Sequence, residues 1–412
     1  MIEQFANRAL CRAEPNRITG SRRQDTRRVV GALSLAALFH LLPASAAAST
    51  LRVPEVFPTI QSAVNAANSG DTIKIAAGTF REQVTIAKDL TLQGAGAGDT
   101  SNDSNINSGS ADDDDVTTIK APAKLVPGPI GSRREIVTIM SGAKVTMSDL
   151  RVAGPGVEPC DSPTSLSDGV LVVQDATLNM HAAAVTDIRG PSTGLGCPYV
   201  GAILIGLPPD LSGGPATGHG TIVGVSVRGY GTFGLSATGP NSTATFAHNR
   251  VTGLGLSGHT ATVGVSVGFG ATATVVGNTV IDNLCDAPGC GPDPIRQLQS
   301  AGIEAALASA GTVIAQNRVS RNDIGIGLFF SPNCCSVNHN TLTNNRFFGD
   351  VIQDGDNTIS HDLISGGQVG VGVVANAVNT TGRLRKVAIS GASVAPVKKF
   401  SCCGFTAKAV IQ

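Results

Sequence analysis

Two acidic side chains, Glu304 and Asp350, stand in short segments rich in glycine and apolar residues, Gly302-Ile-Glu-Ala-Ala306 and Phe348-Gly-Asp-Val-Ile352. A carboxyl pair of this kind suits acid and base work on a glycosidic bond, one member protonated and the other ionised. Glu304 lies between Ile303 and Ala305, with Phe329 on the intervening repeat, and so reads as the acid whose pKa is raised. Asp350, followed by Asp354 and Asp356, reads as the base in a more polar setting. Phe329 and Phe348 are the aromatic surfaces placed to meet a substrate. The run Asp112 to Asp115 is the one oxygen-rich stretch that calcium would use, but consecutive residues seldom point at one centre, and no metal or other cofactor is assigned. His248 and His339 each precede an Asn on separate repeats, which suits corner hydrogen bonding better than a shared ion.

Repeats position these residues. Short apolar strands recur, each closed by an Asn: Asn249, Asn278, Asn317, Asn340 and Asn357. Five residues further on, Asn283, Asn322, Asn345 and Asp362 form a second column. The steps in the first column, 29, 39, 23 and 17 residues, scatter around the length of a solenoid coil with loop insertions. Asn suits a sharp corner, because it tolerates left-handed backbone and its amide can bond to the same amide one coil away. Such ladders hold a stack together without any catalytic role, and stacking gives the coils one continuous core. Before the repeats, Thr59 caps a short helix over 59–68 whose Ile60, Ala63, Val64 and Ala67 share a face, and Gly70 ends it.

Period-two alternation assigns faces to the strands that follow the second column. Ile303 and Ala305, Ile324, Ile326 and Leu328, Phe347 and Val351 are expected inside; Gly302, Glu304, Gly325, Gly327, Phe348, Asp350, Gly370 and Gly372 are expected outside. Glycine then lines a smooth strip that admits a polymer close to the backbone. Glu304 and Asp350 would stand on it two coils, or about 9.6 Å, apart, near the upper end of the roughly 6.5–9.5 Å separation of inverting glycosidases.

Val53-Pro-Glu-Val-Phe-Pro-Thr-Ile-Gln-Ser-Ala-Val64, Gly78-Thr-Phe-Arg-Glu-Gln-Val84 and Leu90-Thr-Leu-Gln-Gly-Ala-Gly96 resemble the opening coil of pectinesterases. Over roughly residues 53 to 412 the chain resembles the pectin-lyase-like superfamily. The resemblance implies an all-β fold, a single-stranded right-handed parallel β-helix with a short N-terminal capping helix. It does not bring the known catalytic motifs with it. Gly218-His219-Gly220 matches a polygalacturonase fragment whose partners are missing, so His219 is read as a loop residue; Gln174-Asp175 is similar to a pectinesterase pair without the second catalytic segment.

Composition bounds the rest. The 412 residues carry 50 Gly, 13 Phe, 2 Tyr and no Trp, which speaks against long helices and for a loop- and strand-rich fold with few stacking aromatics for sugars. Arg27-Arg28, an apolar stretch to Leu42 and the Ala-rich exit at Ala44 to Ala48 form a secretory pattern, so 1–48 is expected to be a targeting segment and 49–412 the β-helix domain, with 99–118 a polar loop insertion. Seven arginines and three acids leave with the segment, so the remainder holds about four more acidic than basic groups. That balance argues against a nucleic-acid partner, and no apolar run after the first fifty residues is long enough to span a bilayer. Eight of the nine cysteines remain, an even number that suits disulfides in an exported chain. Cys285 and Cys290 are the expected local bridge, Cys160 and Cys197 flank loops that can be joined, and Cys334-Cys335 and Cys402-Cys403 are placed to tie the tail to the body.

The sequence therefore predicts a protein that is secreted, periplasmic or displayed at the cell surface, made of about ten coils. Its expected partner is a polysaccharide or other glycan, which it binds or processes by hydrolase or lyase chemistry. The alternative is a non-catalytic surface or adhesive scaffold.

Overall fold

A computed structural model describes residues 48–98, 115–159, 162, 164–191, 200–208, 217–258 and 260–412. The expected targeting segment, up to residue 47, and most of the expected 99–118 insertion lie outside the described residues, as do Cys160, Cys197 and Asp112 to Asp114. Among the described residues no helix is long and apolar enough to cross a membrane.

Residues 47–412 form one unit built from three parallel sheets. The first sheet has 13 strands, from Thr50–Val53 through Thr272–Val276 to Ala407–Ile411. The second has 11, from Gly78–Arg81 through Thr279–Cys285 to Ala388–Ser390, and the third has 11, from Val84–Ile86 through Ala301–Ala306 to Ala395–Ser401. Each coil visits the three sheets in turn, and each strand pairs with its counterpart one coil away. The result is a parallel β-helix.

Three inner columns fill its interior. Val275, Ile314, Val337, Ile359 and Leu384 are successive register partners in the first sheet. Val280, Val319, Leu342 and Ile364 stack in the second, and Val265, Ile303 and Ile326 in the third. All are essentially sealed from solvent. Burying such a side chain contributes about 1.5–3 kcal/mol, and no single coil can do so without neighbours above and below.

The helix is present but runs only over Ile60–Ala66, with Ala67 as its C-cap, so it ends before Gly70. Thr59 and Ser62 form a reciprocal capping box, and Ile60, Ala63 and Val64 are buried as expected. The first-turn N–H groups of Ile60 and Gln61 also donate to the carboxylate of Glu82, at 2.9 and 2.8 Å. An acid on the following coil thus satisfies donors that the helix leaves open.

Both Asn columns are real ladders. The Nδ2 groups of Asn249, Asn278 and Asn317 each donate to the Oδ1 of the next Asn at 3.0 Å. The same Oδ1 atoms accept the backbone N–H of the preceding ladder residue at 2.9–3.0 Å. In the second column Asn283, Asn322 and Asn345 repeat the pattern.

Two details differ from expectation. Asn340 donates to Asp362, not to Asn357, so Asp362 closes the first ladder and the last step becomes 22 residues. Asn357 opens a first-sheet strand and donates to Ser331 O; the tripeptide Asn357-Thr-Ile mimics Asn340-Thr-Leu but begins a strand instead of following one. The left-handed residue at each corner is the one before the Asn: His248, Gly277, Gln316, His339 and His361 have φ of 54–66°. The Asn is kept for its amide, not for its backbone. His361 therefore joins His248 and His339, and the His339 and His361 rings stack at 4.7 Å.

Above Asn249 the same corner positions hold Leu150, Ala183 and Val225, all buried, so polar ladder gives way to apolar packing. Tyr230 spans one glycine-containing coil to donate its hydroxyl to Asn283 Oδ1.

Asn317→Leu removes the side-chain bonds to Asn340 Oδ1 and Val275 O and those accepted from the Asn278 amide and backbone N–H at once. It is expected to destabilise the protein by about 1–3 kcal/mol, read as a fall in Tm, whereas Asn68→Leu at an exposed position leaves Tm nearly unchanged. Equal shifts in the two variants would contradict the ladder.

Candidate functional site on the outer face of the third sheet

The strands of the third sheet do not alternate strictly. Their second residues, Gly302, Gly325, Gly349 and Gly370, point inward, and so do their third residues. A Cβ on Gly325 would lie 2.5 Å from Leu342 Cδ2 and 2.8 Å from Asn345 Nδ2, both inside the coil. Glycine is required there by the ladder. The strand bends at this point, and alternation restarts one residue late.

This bend separates the expected pair. Glu304 is in register with Ser266 and Gly327 and faces outward. Asp350 is in register with Ile326 and Val371 and faces the core. The two carboxyls therefore stand on opposite sides of one sheet and do not form a site. Ile352 points inward for the same reason, and of the expected glycine strip only Gly327 and Gly372 lie outside, against Phe329 and Phe348.

Glu304 is 8% exposed, and burial lifts its carboxyl to about 7. The direction matches the acid role read from sequence. Asp350 is fully buried, and neither of its oxygens has a hydrogen-bond partner. Burial pushes its pKa well above the carboxylate range, and the Asp362 carboxyl at the end of the ladder pushes it further. Asp362 is itself lifted to about 7, mainly by burial, against the pull of its bonds from Asn340.

Phe329 and Phe348 do lie on the outer face, in an apolar cluster with Ile324, Val351 and Val369 packed beneath Ile295. Phe348 is nearly sealed and meets the edge of Phe400 at 5.8 Å. Beside it, the 286–299 loop and the last coils enclose an open cavity of about 480 Å³ lined by Arg296, Phe348, Gln368, Lys398, Phe400 and Ser401 among others. The loop is secured at its base by the Cys285–Cys290 disulfide. Asp323 adds to this by accepting the N–H groups of Cys285 and Ser300 at 2.9 and 3.0 Å and pairing with Arg346 at 2.7 Å. Cys334 and Cys335 are bonded to each other instead of tying down the tail, and Cys402 and Cys403 are free.

The carboxylates that this face does bring together are Glu135 and Asp168. Each opens a third-sheet strand, Glu135–Ile139 and Asp168–Val172, and they are register partners on adjacent coils. Register places them in the outward column that continues to Ala301, Ile324 and Phe348. Arg133 Nε lies 3.0 Å from Asp168 Oδ2 and 3.8 Å from Glu135 Oε1, and its Nη2 also contacts Asp168 Oδ2. Asp168 Oδ1 accepts the Gly201 N–H at 3.3 Å, and Thr138 donates to Glu135 Oε2 at 3.4 Å, while Glu135 Oε1 has no aligned hydrogen bond.

Burial raises both pKa values, that of Glu135 to about 7, with Asp168 adding to the effect on Glu135. The Arg133 charge opposes the rise at both, and it is hydrogen-bonded to Asp168 alone. Glu135 therefore holds a proton near neutrality, and Asp168 is the member that Arg133 draws toward the ionised form against the rise that burial imposes.

Residues 121–134 lie over this pair. Gln83 holds them through Val126, whose N–H it accepts at 2.8 Å and whose carbonyl it reaches at 3.0 Å. Gly128 sits so close that a Cβ would lie 2.2 Å from Glu135 Oε2.

Sequence reasoning missed this pair because it falls in coils without ladder Asn; the one signal was an acid heading two similar strands, Glu135-Ile-Val-Thr-Ile and Asp168-Gly-Val-Leu-Val. His219 lies in a first-sheet strand, not a loop, with Nδ1 2.8 Å from Thr243 Oγ1, and Gln174-Asp175 forms a left-handed corner; neither is on this face.

A family model described as right handed beta helix region matches residues 216–381. No curated protein matches the chain. Among solved structures, a pectin methylesterase from Aspergillus niger is similar at 13% identity and a TM-score of 0.38, over 83% of this chain and 85% of that one. A GH136 lacto-N-biosidase from Eubacterium ramulus is similar at 12% and 0.48, over 84% and 62%. An alginate lyase from Paenibacillus sp. is similar at 10% and 0.35, over 87% and 99%.

Asp350 supplies a direct test of the corrected register. Its folded-state pKa is raised, so the protein is most tolerant of it below the ordinary carboxylate pKa of about 4 and loses stability as pH rises toward the folded value. Asp350→Val restores the apolar column of Ile326 and Val371 and is expected to stabilise by about 1–3 kcal/mol at alkaline pH, with the gain shrinking toward pH 4. A variant less stable than the parent at alkaline pH would place Asp350 on the surface.

Proposed function

We propose that this right-handed parallel β-helix protein, pectin-lyase-like in fold, binds and processes an extracellular polysaccharide on the outer face of its third sheet. The observation that carries the reading is the pair of register-matched carboxylates, Glu135 and Asp168, gathered on one guanidinium. One coil step is about 4.8 Å, close to the roughly 5–5.5 Å between the carboxyls of retaining glycosidases. In this reading Glu135 donates a proton to the leaving oxygen, and Asp168, oriented by Arg133 and ionised as that charge favours, meets the developing positive charge at the sugar carbon.

Access requires residues 121–131 to lift from the pair while Arg133 stays against Asp168. Gln83 and Gly128 are the contacts that this motion breaks or slides. Glu304 and the cavity beside Phe348 lie further along the same face and serve as more distant contacts for a long polymer. Localisation outside the cytoplasm rests on the secretory pattern of residues 1–48, and the acidic excess of the remainder suits a glycan partner better than a nucleic acid.

A non-catalytic scaffold is the second reading. It is favoured by the burial of the pair, with Glu135 1% and Asp168 0% exposed.

Release of reducing ends and of unsaturated products from a panel of polysaccharides separates the two. Glu135→Gln and Asp168→Asn are each expected to abolish turnover, Asp350→Asn to leave it intact, and the parent rate to fall as pH rises past about 7. Full turnover in Glu135→Gln would remove the pair from the chemistry, and glycan binding without turnover in the parent would favour the scaffold.

A further inference from the structure

The outer face of the second sheet takes no part in the site above, and it carries charge of one sign. Its 11 strands hold six cations, Arg81, Lys120, Arg151, Arg228, Arg250 and Arg318, against one acid, Asp282. This runs against the acidic excess of residues 49–412. Asp282 is itself occupied, because Arg321 Nε and Nη2 meet its two oxygens at 2.7 and 2.8 Å. Register sets the order along the stack. The middle residues Val251, Val280, Val319 and Leu342 are sealed in the core, so the residues before them face outward. Those residues are successive partners: Arg250, Thr279, Arg318 and Thr341. Guanidinium and hydroxyl thus alternate at each coil, and the two arginines stand two steps, about 9.6 Å, apart. Arg318 and Thr341 are exposed and Arg250 and Thr279 half-buried. The four line an open cavity of about 450 Å³ with Ser320, Thr343 and Asn344 among others.

We propose that this groove on the second sheet binds an anionic polysaccharide whose carboxylates fall on every second sugar. A pyranose lengthens a glycan by about one coil step, so such a polymer, laid along the stack, sets one carboxylate opposite Arg250 and the next opposite Arg318. The planar fork of a guanidinium matches a carboxylate with two parallel N–H donors. The neutral sugar between them meets the Thr279 hydroxyl, and the one beyond meets Thr341. A nucleic acid carries a phosphate at every nucleotide and lacks the alternation that this column presents. The proposal shares with the reading above only its glycan ligand; binding on the second sheet needs no turnover at Glu135 and Asp168.

The test is calorimetric titration of the full chain with hyaluronan, which carries one carboxylate per disaccharide, beside neutral dextran and a DNA duplex. Hyaluronan is expected to bind at low salt and to be released as salt approaches about 1 M, where the Debye length is about 3 Å; dextran is expected not to bind. Arg250→Gln combined with Arg318→Gln is expected to raise Kd about tenfold. Arg318→Gln alone, at an exposed position, is expected to raise it about threefold with Tm unchanged. Lys144→Gln removes the same charge from an exposed position on the first sheet and is expected to leave Kd as it was. No binding of hyaluronan, an unchanged Kd in both arginine variants, an equal loss in Lys144→Gln, or tighter binding of dextran or DNA would overturn the proposal. Arginine-dependent binding without polysaccharide turnover would support it and count only against the catalytic reading of Glu135 and Asp168.

Discussion

A column of buried amides sets the terms for the rest of this structure. Each ladder Asn donates its Nδ2 to the residue one coil on and accepts that way from the coil before, so a coil that slipped by one residue would leave several buried donors and acceptors open at once. An unsatisfied buried polar group costs about 1–3 kcal/mol, and a slip would also turn the apolar columns out to solvent. The ladder and the apolar stack therefore enforce the same register. Glycine at Gly302, Gly325 and Gly349 follows from that, because the inward amides and the second-sheet side chains leave no room for a Cβ.

The fold was legible because its signals repeat. Asn249, Asn278, Asn317 and Asn340 recur after similar apolar strands, and the opening segments from Val53 to Gly96 carry a family likeness. The site was legible only in part. Glu304 and Phe348 were assigned to the correct face, but Asp350 was not, because two consecutive inward residues break the alternation that a sequence reader extrapolates. Asn357 was misplaced by a local tripeptide resemblance that carries no information about which side of a strand it occupies. Glu135 and Asp168 escaped altogether. In their part of the chain the corner positions are Leu150, Ala183 and Val225, which are indistinguishable in sequence from any other apolar residue.

The distribution of charge on the third sheet follows a physical division. Outside, carboxyls can be gathered: Glu135 and Asp168 share Arg133, which hydrogen-bonds to Asp168 and lies 3.8 Å from Glu135. Inside, Asp350 has no such compensation and meets another carboxyl, Asp362, so it is a stability cost that the stacked coils carry. The base of the 286–299 loop shows the intermediate case, in which buried Asp323 accepts two backbone N–H groups at Oδ2 and is ion-paired with Arg346 through Oδ1.

Residue-resolved hydrogen exchange tests the central claim most directly. The backbone N–H groups of Asn249, Asn278, Asn317 and Asn340 each donate to a ladder oxygen, so they are predicted to exchange only through global unfolding, as slowly as those of the inner columns. Exchange at those positions as fast as in an open surface turn would contradict the ladder as the element that sets the register of the β-helix.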